Sequence, residues 1–405
     1  MSREVVVTGV GTIGAHGAGT KALAAALAAG APLATEIDRS DRWHAPASAR
    51  WAALVPALDL GRWLPASQAR RLGRPSRLAV ASARMALDEA GLPSLEGLRT
   101  SVVLATAFGA VSFTEKLVTQ ILTEGPEAAQ PFYFSECVAN AAAAQVAIAL
   151  GATGANVTIT QREAGPLLAL SHGAREVAEG RADVAIAGAA EEITPFLHAL
   201  LDRFRATARA ERGLDEAPRP LDARRNGFLA GEGAAALVLE AADAAAARGA
   251  HPLARIAATG AGFDATASAS DWGSGDEALG PRLAAVLDRG RVPRETVDRV
   301  VSGASGARRG DRLEAKTLRS AWGGRPVPPV LTPKAVIGEY GGGILAAGVL
   351  AVRGAEFGRP TAWTAPDPEM TIAPHDGSPL PVPRRVLLTG LAAGGAAAWA
   401  VLERI

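Results

Sequence analysis

The chain has 405 residues, of which 48% are apolar and 20% charged. That balance fits a globular protein large enough for two or three domain-sized units and excludes a largely disordered one. Its 42 basic and 41 acidic side chains leave a formal net charge of +1, so there is no overall field for gripping nucleic acid or an anionic membrane surface.

The opening, MSREVVVTGVG, has an apolar run too short for a secretory signal, and a cytoplasmic setting is expected. It reads as a strand at Val5–Thr8 followed by Gly9, Gly11 and Gly14. That G-x-G-x-x-G, with Glu36 and Asp38 further on, raises a rival reading as a dinucleotide loop. The residues after it, Ala15 to Gly19, make a poor helix start for meeting a pyrophosphate. Beyond them the pattern alternates. Strands are expected at Ser101–Ala105, Val157–Thr160, Val184–Ala187, Ala234–Leu239, Val297–Val301 and Val386–Thr389. Helices are expected at Ser76–Ala90, Ala142–Leu150, Pro166–Glu179, Ala241–Arg248, Asp276–Asp288 and Arg312–Ala321. Short β-branched runs between helical stretches imply an α/β architecture with buried sheets.

The opening pattern is weakly echoed at Leu253–Gly262, which suggests two similar halves, 1–246 and 247–405. Gly262–Gly275 and the proline-rich Thr364–Pro383 read as irregular surface segments. The most apolar stretch, Val386–Leu402, falls short of the ~20 residues a spanning helix needs. It reads as a buried strand–turn–strand, and no membrane segment is expected. The lone cysteine, Cys137, allows no internal disulfide and reads as a small packed residue. Of the six histidines, His16, His44, His172, His198, His251 and His375, none stands three or four positions from another or from the cysteine. No metal site is expected.

Three segments in order resemble β-ketoacyl synthases of the elongating type. Val5–Gly17, VVVTGVGTIGAHG, is similar to the family's opening strand and turn. Arg181–Glu192, RADVAIAGAAEE, is similar to its G-x-A-D-x-x-x-A-G-G-x-E segment. Arg219–Glu240, RPLDARRNGFLAGEGAAALVLE, is similar to its R-P-F-D-x-x-R-x-G-F-x-x-G-E-G-A signature. The resemblance implies the thiolase-like fold, two pseudo-equivalent α/β halves in a five-layered α-β-α-β-α body. It also implies a catalytic cysteine and two histidines, and here this sequence departs. Register places Glu163 at the cysteine, Gly303 at the first histidine and Glu339 at the second. A carboxylate at a helix N-terminus is stabilised by the dipole but attacks thioesters poorly. Without the imidazoles, no donors meet the negative charge that develops on decarboxylation. Asp311, Glu314 and Lys334 match positions the family keeps and are expected to form a structural ion-pair network.

Such a pattern resembles the chain length factor of a type II polyketide synthase. That implies a non-catalytic subunit, needing no cofactor, paired as a heterodimer with a catalytic ketosynthase α subunit. It would shape the tunnel for a chain carried on an acyl carrier protein. The dimer surface is expected in Ala105–Leu150 and the strand Val157–Thr160. Val111, Thr114 and Val118, on one face of a helix by their spacing, are the candidate tunnel-lining residues. Phenylalanine at Val111 or Val118 would then shorten the product. The alternative is a repurposed enzyme on the same fold with Glu163 as a general base and Arg162 and Glu339 as its partners.

Overall fold

A computed structural model describes residues 3–40, 43–211 and 213–405. Ten strands form the main path of its large sheet: β1 (Val5–Gly14), β2 (Thr100–Ala105), β3 (Asn156–Ile159), β4 (Val184–Glu191), β5 (Gly233–Ala241), β6 (Ala254–Phe263), β7 (Arg299–Val301), β8 (Val330–Leu331), β9 (Arg385–Leu391) and β10 (Ala396–Glu403). Their spatial order is β8-β7-β9-β10-β6-β1-β5-β4-β2-β3. From the middle outward the two arms repeat each other. β1, β5 and β4 run antiparallel to their neighbours, then β4, β2 and β3 run parallel. On the other arm β6, β10 and β9 are antiparallel, then β9, β7 and β8 parallel. Within the sheet the arms join between β1 and β6, with Val6 opposite Arg255 and Val7 opposite Ala254.

The helices that position this sheet and the site include α1 (Arg74–Ala90), α2 (Val111–Glu124), α3 (Pro131–Cys137), α4 (Ala141–Leu150), α5 (Gly165–Ala178), α6 (Pro195–Arg203), α7 (Asp276–Arg289), α8 (Arg308–Trp322) and α9 (Gly342–Val352). α1 and α4 cover the outer face of the first arm, α7 and α8 that of the second. α5 and α9 lie between the arms, where Leu167 and Leu170 share one buried core with Leu345, Leu239 and Leu388. This is the five-layered α-β-α-β-α body. Full burial on every side explains why α9, GGILAAGVLAV, is apolar all round and lacks an amphipathic period.

The glycines of the opening motif have a packing reason. Gly9, Gly11 and Gly14 all lie inside β1, which ends at Gly14 and folds back on itself through the paired Gly17–Ala18 before a helix starts at Thr20. A Cβ on Gly9 or Gly11 would be driven into the backbone carbonyls of Ala86 and Ser82 on α1. These glycines let a helix lie directly on a strand, so they form no phosphate loop. Val386–Leu402 is the β9–β10 hairpin, paired from Arg385 opposite Glu403 to Leu391 opposite Ala397. Among the described residues no single helix is long and apolar enough to cross a membrane.

Candidate functional site

β3 ends against an elbow. Arg162 takes a left-handed φ of 43°, Glu163 lies in the 3₁₀ turn Arg162–Ala164, and α5 starts at Gly165 with Pro166 in its first turn. A non-glycine residue held at positive φ costs of order 1–3 kcal/mol and persists only where its surroundings impose it. Proline is suited to a first turn because its missing N–H would have no helical partner there. The elbow sets Glu163 at the helix N-terminus, facing the space between the two arms of the sheet.

Two further segments arrive from the second arm. The turn Lys334–Ile337 leads through Gly338, at φ 74°, into Glu339. Glu339 is pinned by its own backbone: its N–H donates to the Leu229 carbonyl at 2.7 Å, and Gly231 N–H donates back to its carbonyl at 3.2 Å. Leu229 and Gly231 belong to the Arg219–Glu240 stretch, so one task of that stretch is to fix where Glu339 stands. Its carboxylate takes a hydrogen-bonded ion pair from the buried Lys334 Nζ, at 2.7 Å to Oε1 and 2.8 Å to Oε2.

Gly303 follows β7 and donates its N–H to Glu314 Oε1 and Thr389 Oγ1, both at 3.1 Å. A Cβ on the next strand's Gly390 would lie 2.9 Å from the Glu163 carbonyl oxygen. Gly303, Gly390 and the Glu163 elbow are therefore stacked backbone on backbone. The three positions singled out in the sequence converge. Glu163 and Glu339 line one cavity of about 50 Å³ together with Phe108, Arg162, Glu191 and Tyr340. Gly303 sits behind the elbow and contributes no side chain.

The electrostatics are those of a carboxylate-rich, poorly hydrated space. Burial pushes the Glu163 carboxyl up to about 7, the Glu339 charge adds to the rise, and Lys334 opposes it. Its Oε2 is sealed from solvent and accepts no hydrogen bond among the described residues. Glu191 is pushed by burial to about 8, although Ala107 N–H and Phe108 N–H, the latter at 3.3 Å, donate to it. A carboxyl whose folded value lies above its unfolded one binds its proton more tightly when folded. The contribution of Glu163 to stability is therefore greatest at low pH and falls as pH rises from about 4.5 towards about 7. The melting temperature of Glu163→Gln should accordingly gain on the parent between pH 5 and pH 8. A constant difference across that range would contradict the assignment.

The expected ion-pair network is wired differently. Lys334 pairs with Glu339, not with Asp311 or Glu314. Asp311 caps a loop, accepting from Leu221 N–H at 2.8 Å, Ser305 N–H at 3.1 Å and Gly306 N–H at 3.2 Å. Glu314 accepts from Ser302 Oγ and Thr389 Oγ1, both at 2.5 Å, and from Gly303 N–H. Both are buried acceptors holding backbone in place, and burial raises both, Asp311 to about 6.

The proposed tunnel residues lie on α2. Val111 is half-buried and packs on the cluster of Ile193 and Leu197, beside Leu201 and Phe228, whereas Thr114 and Val118 are exposed. Cys137 is half-buried with its thiol pushed up by burial, the opposite of an activated nucleophile. Of the histidines, structure joins one pair that spacing does not show: His44 Nε2 lies 2.9 Å from His198 Nδ1.

Residues 2–245 match the family model for the β-ketoacyl synthase N-terminal domain. The chain belongs to the β-ketoacyl synthase family. Within that family it is 31% identical over 384 residues to the tetracenomycin polyketide synthase ketoacyl synthase alpha subunit of Streptomyces glaucescens, covering 91% of this chain and 89% of that one. It is also 31% identical over 326 residues to 3-oxoacyl-(acyl-carrier-protein) synthase 2 of Vibrio cholerae, covering 79% and 78%. Among solved structures, the ishigamide ketosynthase/chain length factor superposes with a TM-score of 0.88 at 27% identity, with both chains covered completely. The synthase fold read from the sequence is therefore the fold observed. Arg162, which the general-base alternative names with Glu339 as a partner of Glu163, does line the cavity, whereas sequence reasoning missed Phe108 and Glu191 as pocket residues of this synthase-family chain.

Proposed function

We propose that this chain is the chain length factor of a type II polyketide synthase. In this reading it is a non-catalytic subunit that pairs with a catalytic ketosynthase and shapes the acyl tunnel while carrier-protein-bound malonyl units are condensed. The observation that carries it is the convergence of Glu163, Gly303 and Glu339 in one pocket region with no thiol and no imidazole. The cavity offers Glu163, Glu191 and Glu339, the Lys334 ammonium is already paired with Glu339, and no nucleophile or imidazole donor for thioester condensation stands among the lining residues. Further support comes from an uncovered surface. Among the described residues β3 pairs with no strand but β2, leaving its outer edge open. Around it α2, α3 and α4 expose Leu122, Phe134 and Ile148 at 79%, 65% and 74%. Open strand edges and contiguous apolar side chains are what a permanent partner covers.

A second reading has its own support, namely the raised and unpartnered Glu163, which is suited to a general base near neutral pH. Glu163→Gln separates the two. Product formation by the reconstituted complex survives the substitution if the chain contributes shape, and collapses if Glu163 moves a proton. For the first reading, the chain should co-purify one-to-one with a ketosynthase from an adjacent reading frame that carries its cysteine and both histidines. A lone chain that condenses malonyl units would end it.

A further inference from the structure

The cavity around Glu163 has the make-up of a receptor for a small organic cation. Its walls bring together three carboxyl groups, Glu163, Glu191 and Glu339, and three aromatic rings, Phe108, Phe228 and Tyr340. Carboxylates accept N–H donors, and the faces of aromatic rings attract positive charge. Not all of the acceptors are in use. Glu163 Oε2 is sealed from solvent and accepts nothing among the described residues. Glu339 receives only the Lys334 ammonium, at 2.7 Å and 2.8 Å, whereas an ionised carboxylate has about four lone-pair sites.

The cations already nearby do not fill this want. Lys334 is committed to Glu339. Arg162 lines the cavity but is exposed, and its Nη1 donates to the Ala393 carbonyl at 3.4 Å. Glu163 and Glu191 therefore hold protons for lack of a counter-charge, and burial pushes them up to about 7 and about 8. A cation entering the cavity would let Glu163 release its proton to solvent, an exchange that leaves the net charge of the site unchanged. Size limits the cation. The cavity measures about 50 Å³, and one water needs about 10–15 Å³, so there is room for roughly three to five heavy atoms. Among the described residues no group of three histidine, cysteine or carboxylate side chains is placed to hold a metal ion. We infer that the vacated pocket takes a small primary alkylammonium group, its N–H donors on Glu163 and Glu339 and its carbon end against Phe108, Phe228 and Tyr340. This names a ligand class for the pocket and rests on the reading that the pocket is emptied of thioester chemistry.

Calorimetric titration of the full-length chain with ethylammonium chloride at constant ionic strength tests it. Binding should lie in the roughly millimolar range, the most that a ligand of about three heavy atoms supports. Affinity should rise about tenfold from pH 6 to pH 8, because a carboxyl titrating at about 7 goes from mostly protonated to mostly ionised over that interval. Tetramethylammonium, which has no N–H, and ethanol, which has no charge, should each bind at least about tenfold more weakly. Glu163→Gln keeps the size of the side chain and should weaken ethylammonium about tenfold at pH 8 and abolish the pH dependence. Phe108→Leu, at an exposed wall, should weaken it about threefold and leave the pH dependence in place. Thermal melts show that both variants are folded. Two thioesters locate the source of the ammonium. Tighter binding of 3-aminopropanoyl-pantetheine than of ethylammonium assigns it to a tethered chain, and binding of ethylammonium alone assigns it to a free amine. No binding of ethylammonium at pH 8, equal binding of tetramethylammonium, or an unchanged affinity in folded Glu163→Gln would overturn the inference and leave Glu163 Oε2 to a buried water. Equal binding of propanoyl-pantetheine and its amino counterpart, with none of ethylammonium, would do the same. Co-purification with the ketosynthase is read separately: a chain that pairs and binds no amine loses this inference alone, and a chain that binds the amine and never pairs loses the chain-length-factor reading alone.

Discussion

Replacing Lys334 with methionine should cost about 3–5 kcal/mol of stability, the range found when one partner of a buried ion pair is removed and the other stays. Lys334 is 2% exposed and is a neighbouring positive charge for three carboxyls at once. It pairs directly with Glu339, and its charge lowers the otherwise raised values of Glu163 and Glu314. Methionine keeps most of the volume, so the loss is electrostatic and not a cavity effect. Two signatures follow. The loss should be larger at pH 8 than at pH 5, because protonated carboxyls no longer need the ammonium. Adding Glu339→Gln should recover much of it by removing the orphaned charge. Urea midpoints read both effects, since a change of midpoint at constant slope is a change of stability. An unchanged midpoint at pH 8 would show that the ammonium does not hold this pocket together.

The fold was legible because its periods are simple. Seven expected strands and six expected helices all occur, displaced by a few residues at their ends. The long Arg219–Glu240 stretch carried the family resemblance, and three local segments, Gly154–Leu167, Val301–Asp311 and Lys334–Glu339, then placed Glu163, Gly303 and Glu339. What the sequence hid is long-range. α9 carries no amphipathic signal because every side of it is buried. The pairing of Lys334 with Glu339, five residues apart, depends on Gly338 turning the chain at positive φ. Glu191 and Glu192, two adjacent acids at the end of β4, close the family-like Arg181–Glu192 segment, which does not tell what they hold. Folded, they are buried acceptors for Ala107, Phe108 and Ser112, some 80 residues upstream, and so anchor the start of α2. Desolvation and contacts between distant segments decide such roles, and neither is written in local spacing.

Reinstating the family's residues with Glu163→Cys, Gly303→His and Glu339→His should not restore condensation, and position 303 is the reason. A Cβ there would lie 2.8 Å from the Thr389 carbonyl oxygen and 3.3 Å from Gly390 Cα and Glu314 Oε2. Thr389 and Gly390 belong to β9, which is hydrogen-bonded to β7 on one side and β10 on the other. That strand has no room to retreat, because Gly390 itself presses on the Glu163 carbonyl. Overpacking of this kind typically costs about 1–3 kcal/mol, so Gly303→Ala alone should already be measurably destabilised. Imidazole at 303 would have to move the elbow that it is meant to serve. The Glu163→Cys substitution is different. It shortens a side chain in an existing cavity, but the burial and the Glu339 charge that push the Glu163 carboxyl up act on a thiol in the same direction, against the α5 N-terminus. That single variant should fold and be alkylated by iodoacetamide no faster than Cys137, whose thiol is also pushed up by burial. Turnover by the triple variant would mean that the second arm yields at Gly303, and that the lost chemistry is a matter of side chains alone.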